Sequence, residues 1–293
     1  MKRLIRRLLR KLAGHDLTWR FLDKTLIHFA NYSLLARAQH HLKTDEHFIP
    51  LLAGDLTVRH GPFKGMRYPE FSSAGSMLWP KLLGSYEQEL HPLIEEVCRG
   101  QYTEIINIGC GEGYYTVGLA LRIPGARVFA YDIDERALKL CQKMAGLNGV
   151  SHRVFFSRVC TGEVLKDFPF TGRGLIFCDC EGCEKDLFIP PVVANLTGCD
   201  LIIELHDLLD IHISTYIGSL FQETHDQIYV GSVDDLKKAK TYDYEEIRGL
   251  DLPTRKQILA EHRPAWMEWV FLRARAGRKG PISTEKAIIA GTP

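Results

Sequence analysis

The feature that most constrains the fold of this 293-residue chain is a cluster of three glycines, Gly109, Gly111 and Gly113, in the segment INIGCGEGYYT. An apolar, strand-like run stands directly before the cluster, and a helical pattern follows it directly. Glycine lets the backbone turn sharply and approach a ligand closely, because it has no Cβ. A strand that passes into a helix through such a loop is typical of α/β folds that hold a nucleoside cofactor at the start of the helix.

Strand-like apolar runs alternate with helical patterns along most of the chain. The runs are Ile105–Ile108, Val128–Tyr131, Val154–Phe156, Leu175–Cys178, Leu201–Glu204, Gln227–Val230 and Glu268–Leu272. This alternation predicts the α/β class, with a doubly wound, mostly parallel seven-stranded sheet covered by helices on both faces. We expect the domain to cover residues 96–275, with the polar residues 232–264 as a helical insertion before the last strand.

The segments outside this domain are predicted to be appendages. Residues 51–95 are expected to form a hairpin and a lead-in helix, residues 276–293 a tail, and residues 1–50 an N-terminal helical extension with ten Lys and Arg against four Asp and Glu. Within the extension, residues 2–12 place Leu and Ile on one helical face and Arg and Lys on the other. Such a basic amphipathic helix can contact an anionic membrane surface, or it can dock on its own protein or an oligomer partner.

Cysteine usage and hydropathy bear on the cellular compartment. The eight cysteines have no regular spacing and several stand inside apolar runs, which is typical of reduced, buried thiols. No stretch reaches the roughly 20 apolar residues that a membrane span requires. The first residues are interrupted by Arg and Lys too often for a signal peptide. We therefore expect a cytoplasmic protein, peripheral at the inner face of the membrane if residues 2–12 bind there.

The register of the glycines separates two cofactor classes. Dinucleotide binders need G-x-G-x-x-G, and Tyr114 stands where the last of those glycines would be. The tighter G-x-G-x-G loop favours S-adenosylmethionine, which carries no phosphate. The next predicted strand ends in Asp132, whose carboxylate can accept hydrogen bonds from both ribose hydroxyls. Asp134 is the alternate ribose ligand, or else it caps the following helix.

The chain resembles the FkbM-type branch of class I methyltransferases in four segments. They are the glycine loop, the segment FCDCEGCEKDL (similar to the family's D-x-E-G-x-E), the segment IIELHD (similar to its E-x-H) and the upstream KLLGSYEQEL, similar to the family's lead-in. The resemblance covers roughly residues 81–230. It implies a Rossmann-like class I fold with S-adenosylmethionine as the cofactor.

The loop and the resemblance together indicate which residues bind the cofactor. The candidates are Asn107, Gly109, Cys110, Gly111, Gly113, Tyr114, Asp132, Ile133, Asp179, Tyr86 and Glu87. The resemblance implies that Tyr86 and Glu87 close over the methionine end of the cofactor, although a plain helix start is the alternative. Two departures from the family stand out. Asn107 occupies a position that usually carries Asp or Glu, and Cys180 and Cys183 flank the acidic motif where apolar or small residues are more common.

The candidate catalytic residues follow the fourth and fifth predicted strands. They are Asp179, Glu181, Glu184, Glu204, His206 and Asp207. In a doubly wound sheet these strand ends face the crevice in which ligands bind. His206 is the preferred general base, because an imidazole ordinarily titrates near neutral pH, and Glu204 or Glu181 could orient it. A histidine with a purely structural role is the alternative.

The same oxygen-rich group could in principle hold a cation. We predict no required metal; if a divalent cation binds, Asp179, Glu181 and His206 are the expected ligands. The nearby segment Cys178–Cys183 has the pattern C-x-C-x-x-C, which is not a pair of zinc knuckles.

Charge and motifs also narrow the methyl acceptor. The net charge is +1 and no basic stripe lies outside the N-terminal segment, so we expect no nucleic-acid partner. No Asn-Pro-Pro-aromatic segment follows the fourth strand, where amino-group methylation of nucleobases usually has it. The resemblance implies O-methylation of a sugar, glycan or small natural-product hydroxyl, and we expect Lys81 and Trp79 at the acceptor entrance. A non-catalytic interaction module remains an alternative, and an NAD-dependent oxidoreductase is disfavoured by Tyr114; the oligomeric state is not indicated.

Overall fold

Seven strands and the helices between them make up the part of the protein that the computed structural model describes, residues 54–275. The strands are β1 (Glu104–Ile108), β2 (Arg127–Tyr131), β3 (Val154–Ser157), β4 (Gly174–Cys178), β5 (Asp200–Leu205), β6 (His225–Gly231) and β7 (Glu268–Ala274). Each strand-like run predicted from the sequence is therefore a strand. The predictions for residues 1–50 and 276–293 lie outside the described residues.

Helices connect the strands and precede the first of them. They are α1 (Leu78–Leu83), α2 (His91–Arg99), α3 (Tyr114–Arg122), α4 (Glu135–Leu147), α5 (Gly162–Lys166), α6 (Glu184–Leu187), α7 (Pro190–Leu196), α8 (Ile213–Phe221), α9 (Asp235–Thr241) and α10 (Leu252–Leu259), with 3-10 turns at Gln88–Leu90, Ser151–Arg153 and Glu245–Ile247. No helix within residues 54–275 combines the length and the apolar character that crossing a membrane requires.

The strands form one sheet in the order β3-β2-β1-β4-β5-β7-β6. Strands β1 to β5 are parallel, and β7 runs antiparallel between β5 and β6. The predicted fold class, a doubly wound and mostly parallel seven-stranded sheet, is confirmed. Every residue of β1, β4 and β5 is buried, which explains why these strands read as continuous apolar runs in the sequence.

The register of the sheet brings four strand ends to one edge. Ile108 at the end of β1 lies opposite both Tyr131 of β2 and Cys178 of β4, and Cys178 lies opposite Ile203 of β5. The strand order reverses direction between β1 and β4. Ligands of open α/β sheets bind at the carboxyl ends of the strands beside such a reversal, so the fold places a crevice where the glycine loop begins.

The lead-in differs from the predicted hairpin and single helix. The two extended runs are joined by one antiparallel bridge, between Thr57 and Arg67. Two separate helices follow, because α1 ends at Gly84, which has a φ of 85° and contacts the backbone of His60 so closely that a side chain would not fit. Helix α2 then begins with Pro92 in its first turn.

The polar segment 232–264 holds α9 and α10. Asp234 caps α9 by accepting hydrogen bonds from two backbone amides, and Asp251 caps α10. Arg255 of α10 donates to the carbonyls of Ala239 and Tyr242, which ties the two helices together. The segment is therefore a small helical unit that connects β6 to β7 along the chain.

Candidate functional site

The glycine loop takes a backbone path that side chains would block. Gly109 has a φ of 75°, and a Cβ there would stand 1.7 Å from the carbonyl oxygen of Asp179. Gly113, with a φ of 104°, is the N-cap of α3. The amides of Gly109 and Cys110 both donate to the carbonyl of Tyr131, at 2.9 and 3.0 Å. The loop is thus packed against the end of β4 and hydrogen-bonded to the end of β2.

Asp132 lies where the ribose of a nucleoside is expected. Its Oδ2 accepts from the amide of Gly111 and its Oδ1 from the amide of Asp134, both at 2.8 Å. A carboxylate has about four lone-pair sites, so acceptor capacity remains for ribose hydroxyls. Asp134 instead caps α4 by accepting from the amide of Arg136, which is the helix-cap alternative given for it above.

Two aliphatic side chains stand exposed beside Asp132. Ile133 is 76% exposed, and Val159 after β3 is 56% exposed. Arg158 donates to the carbonyl of Ile133, at 3.4 Å, and so joins the ends of β2 and β3. Val159 was not identified from the sequence; its only signal was its position after a predicted strand. The pair offers an apolar surface of the kind on which an adenine can rest.

Three predicted cofactor residues face the protein interior instead. Asn107 is buried in β1 and donates to the hydroxyl of Thr116 at 2.8 Å, so it supports the start of α3. Tyr114 is buried among other aromatic rings. The buried thiol of Cys110 contacts that of Cys141, and this contact and burial raise its pKa. Each of these three side chains is enclosed by protein, so the structure does not place them where they could contact a cofactor.

The lead-in residues Tyr86 and Glu87 are also internal. The ring of Tyr86 packs edge-on against Tyr114, with centroids 5.4 Å apart. Glu87 accepts hydrogen bonds from Arg263 and from the hydroxyl of Tyr115. Burial raises the pKa of Glu87 although Arg263 opposes it. Both residues lie in the wall behind the loop, and their implied closure over the cofactor would require them to leave these partners.

Arg263 joins three buried carboxylates. It donates to Glu87 and Glu204 at 2.6 Å and to Glu261 at 3.0 Å, and its guanidinium lies 4.6 Å from the centre of the Trp269 ring. Burial alone would lower the pKa of Arg263, but the three carboxylates hold it well above its usual value. The sequence offered no signal for this residue, which is one of three arginines in the polar segment 232–264.

A second buried ion pair holds the lead-in against the loop. Glu112 lies inside the glycine loop, yet its carboxylate points inward and accepts from Lys81 at 2.5 Å, from the hydroxyl of Tyr68 and from the amide of Ala74. Burial raises the pKa of Glu112, but Lys81 outweighs it, and the net pKa is lowered. The placement of Lys81 and Trp79 at the acceptor entrance is wrong, because both side chains are buried.

The acidic residues after β4 and the imidazole after β5 meet at the same edge. The Nδ1 of His206 lies 2.5 Å from Oε1 of Glu184, while its Nε2 lies 3.4 Å from Asp179 and 3.5 Å from Glu181. Burial disfavours the imidazolium, but the hydrogen bond to Glu184 and the charges of Asp179 and Glu204 outweigh it and raise the pKa of His206 to about 9. His206 therefore carries a positive charge at neutral pH when the site is empty.

The carboxylate that orients His206 is Glu184, not Glu204 or Glu181. Glu204 is turned away and paired with Arg263, so it acts on the imidazole only through its charge. Glu181 has a left-handed φ of 53° and a side chain that is 80% exposed. Asp207 accepts from the amide of Ser214 in the first turn of α8. Glu184 is the last residue of the E-G-x-E segment, and that motif was the one signal that could have identified it.

The lead-in, the glycine loop, the acidic segment after β4 and the end of β5 thus lie together, but not all of the predicted site residues reach the crevice. Burial and the charge of Glu204 raise the pKa of Asp179, which His206 partly offsets. Among residues 54–275, the group of side chains placed to hold a metal ion comprises Asp179, Glu181 and His206, with ligand atoms within 4.8 Å of one another. Cys178, Cys180 and Cys183 are free thiols and form no such group.

Comparisons with known proteins find similarity to methyltransferases of several kinds. Residues 91–169 match the model described as the methyltransferase small domain. The cobalt-precorrin-6B C(15)-methyltransferase of Pyrobaculum calidifontis is 36% identical over 101 residues, 30% of this chain and 52% of that protein. The release factor glutamine methyltransferase of Chlorobaculum tepidum is 44% identical over 52 residues, 18% of each chain. The matched stretch thus spans about half the length of the first relative and less of the second.

Solved structures of low sequence identity also align with this chain, with TM-scores below 0.5. The O-methyltransferase TomG from Streptomyces achromogenes, solved in complex with SAM, aligns with a TM-score of 0.42 and 14% identity, over 66% of this chain and 82% of that chain. The assignment of the fold rests on the strand order and register of the protein itself.

Proposed function

We infer that this chain is a class I S-adenosylmethionine-dependent methyltransferase, and we propose that it methylates a hydroxyl group. Its cofactor is S-adenosylmethionine, because the matched methyltransferase domain spans the glycine loop and Asp132. The residues present fit that cofactor: Gly109 is exposed, Asp132 keeps free acceptor sites, and Ile133 offers an apolar surface. The narrower FkbM assignment remains a prediction from the motifs, since the matched family model does not single out that branch.

The observation that carries the proposal is the contact between the cofactor loop and the acidic group. The backbone of Gly109 approaches the carbonyl of Asp179 so closely that one additional carbon atom would clash with it. The amide of Asp179 donates to the carbonyl of Ile108 at 2.9 Å. A cofactor seated on the loop therefore reaches the strand end at which His206 and its carboxylates lie.

The chain's own residues can receive the proton that a hydroxyl releases on methylation. The cofactor supplies a methyl group that is already activated, so the protein has mainly to orient the acceptor and exclude water. His206 is the proposed general base in its neutral form, which becomes abundant as the pH rises towards its raised pKa of about 9; Nε2 is directed at Asp179 and Glu181, and Nδ1 is held by Glu184. Glu184 is a positioning residue in this scheme, because it acts through the imidazole.

The rim of the site supports an acceptor with an apolar part. Leu208, Leu209 and Ile211 follow His206 directly and are exposed. Leu209 also packs over Gly182 in the acidic segment. We propose a sugar, glycan or natural-product hydroxyl whose carrier, as in a glycolipid, can contact these side chains.

The relatives named above act on other atoms, and one local difference argues for a different acceptor here. One of them is a C-methyltransferase and the other a glutamine methyltransferase by name. In this chain an acidic D-x-E-G segment, rather than Asn-Pro-Pro-aromatic, follows β4. The acidic segment is suited to accept a proton from a hydroxyl.

Two measurements test the proposal. Isothermal titration of the full chain with S-adenosylhomocysteine should show binding, and release of S-adenosylhomocysteine should be detected with a panel of glycolipid, sugar and phenolic acceptors. His206→Ala should retain the binding and lose at least about tenfold in turnover, since general bases contribute roughly 10²–10⁴-fold. Full turnover by His206→Ala would refute the base, and binding without turnover on every acceptor would favour an interaction module.

Membrane contact through residues 2–12 is a separate proposal. It rests on the basic amphipathic pattern of those residues. Flotation with anionic liposomes should retain the full chain and release a chain that lacks residues 1–13. Equal partitioning of the two would end the idea.

A further inference from the structure

We propose that Asp179, Glu181 and His206 bind a divalent cation of the manganese type. The three residues supply two carboxylate oxygens and one imidazole nitrogen, and all three ligand atoms lie within 4.8 Å of one another. They come from two elements, the loop after β4 and the end of β5. The site adjoins the proposed acceptor position, but its existence does not depend on methyl transfer.

The spacing of the three atoms fits adjacent positions around one ion. Nε2 of His206 lies 3.4 Å from Oδ1 of Asp179 and 3.5 Å from Oε2 of Glu181. Neighbouring ligands at right angles, each about 2.1 Å from a metal, are about 3 Å apart. The two distances from Nε2 need to close by about half an ångström, and the two carboxylate oxygens, which lie within 4.8 Å of each other, can approach further; Glu181 can supply this movement because its side chain is largely exposed.

One buried oxygen in the group has no hydrogen bond from any described residue. Oδ1 of Asp179 is buried and accepts none. The side chain of His206 is 6% exposed, and the hydrogen bond it makes within residues 54–275 is the one at Nδ1. Orphaned buried polar atoms are uncommon and call for a partner. A cation bound between Oδ1 and Nε2 would give Oδ1 a close partner, because the imidazole itself lies 3.4 Å away.

Glu184 completes an arrangement that is typical of metal sites. Metal-binding histidines usually hold a carboxylate or carbonyl at the ring nitrogen that faces away from the ion. Glu184 is fully buried and occupies that place, with Oε1 2.5 Å from Nδ1. It fixes the ring so that Nε2 points at Asp179 and Glu181.

The ligand types favour manganese over a softer ion. Carboxylate oxygens suit Mg²⁺ and Mn²⁺, whereas an imidazole suits the transition metals. Mn²⁺ accepts both. The three ligands occupy neighbouring positions, so the remaining positions would be open to water or to an acceptor hydroxyl.

Metal binding changes the role of His206. In the loaded protein Nε2 is a ligand and cannot take the proton of the acceptor; in the metal-free protein it can do so only when the imidazole is neutral. The inference therefore deepens the proposed function by assigning two forms to one site, and the two forms can be measured separately.

Manganese binding can be followed directly by electron paramagnetic resonance of the free ion. Full-length protein is freed of metal with EDTA, dialysed and titrated with MnCl₂. We expect one Mn²⁺ per chain, and we expect Glu181→Gln to weaken binding at least about tenfold, as changes at or around metal ligands generally do. Asp210→Asn is the matched control, because Asp210 is a nearby, partly exposed carboxylate that pairs with Lys185; its affinity for Mn²⁺ should be unchanged.

The outcomes separate this inference from the proposed function. No Mn²⁺ binding, or equal affinities for Glu181→Gln and Asp210→Asn, would overturn the metal site. Circular dichroism of each variant excludes unfolding as the cause, and Glu181→Gln is suitable because the residue is exposed. Mn²⁺ binding by a chain that fails to bind S-adenosylhomocysteine would support the metal site while contradicting the proposed function.

Discussion

Replacing Gly109 with alanine tests the contact on which the cofactor site depends. Gly109 has a φ of 75°, and the added Cβ would stand 1.7 Å from the carbonyl oxygen of Asp179. The backbone of Asp179 would have to withdraw by more than about 1 Å, because a Cβ closer than about 3 Å to another atom is essentially never tolerated. The same movement would displace the first residue of the acidic group.

The size of the effect follows from two contributions. An alanine in the left-handed region costs about 1–2 kcal/mol, and forcing atoms into a packed site costs typically about 1–3 kcal/mol more. The free energy of unfolding should therefore fall by about 2–5 kcal/mol. For a domain of this size each kcal/mol lowers the melting temperature by about 2–4 °C, so we expect a decrease of roughly 4–20 °C.

Gly111→Ala is the matched control. Gly111 also has a positive φ, 53°, but its added Cβ would meet nothing closer than the carbonyl of Ala74 at 3.5 Å. Gly111→Ala should therefore lose only the free energy of placing an alanine in the left-handed region, about 1–2 kcal/mol. Thermal unfolding followed by circular dichroism, with calorimetric titration of S-adenosylhomocysteine, compares the two variants. If Gly109→Ala is as stable as Gly111→Ala, the close approach of loop and β4 is not present in solution and the reasoning fails.

Three further predictions concern ionised groups. In EDTA-treated protein, NMR titration should give His206 a pKa of about 9, and Glu184→Gln should bring it down towards the ordinary 6.5. The pKa of His206 is higher in the folded protein than in the unfolded chain, so its contribution to stability should be complete below pH 6.5 and should be lost as the pH rises through 9. Urea unfolding at several pH values can measure this loss. A contribution that grows over that range would contradict the assignment. Asp132→Ala should weaken the binding of S-adenosylhomocysteine at least about tenfold, as loss of hydrogen bonds to a charged group implies, whereas Asp134→Ala should cost about 1 kcal/mol of stability through the lost cap; calorimetry that finds equal affinities would remove Asp132 from the ribose site. Arg263→Met should lower the free energy of unfolding by about 3–5 kcal/mol, because it leaves the buried carboxylates of Glu87 and Glu204 without their cation; urea unfolding at wild-type stability would show that the ion cluster is dispensable.

The amino-acid pattern alone was sufficient to predict the class of fold, and it indicated the loop at which we propose that the cofactor binds. Hydrophobic periodicity is a local property, and strands buried on both faces leave continuous apolar runs that can be read without the structure. The glycine loop and Asp132 were equally readable, because backbone conformation and the length of one strand–helix–strand unit set their separation. The helix-cap role of Asp134 was also a matter of adjacent residues.

The partners of the buried charges were decided only by the tertiary structure. Several carboxylates follow β4 and β5, and no local rule tells which one reaches the imidazole; the backbone turn at Glu181 and the position of α6 select Glu184. Arg263 draws Glu204 away from His206 across a long separation in sequence. Lys81, whose sequence position suggested an exposed entrance, is instead buried against Glu112. Ion pairs of this kind depend on where distant side chains meet after packing, and a buried charge must find its counterion there because leaving it unpaired in the interior costs too much.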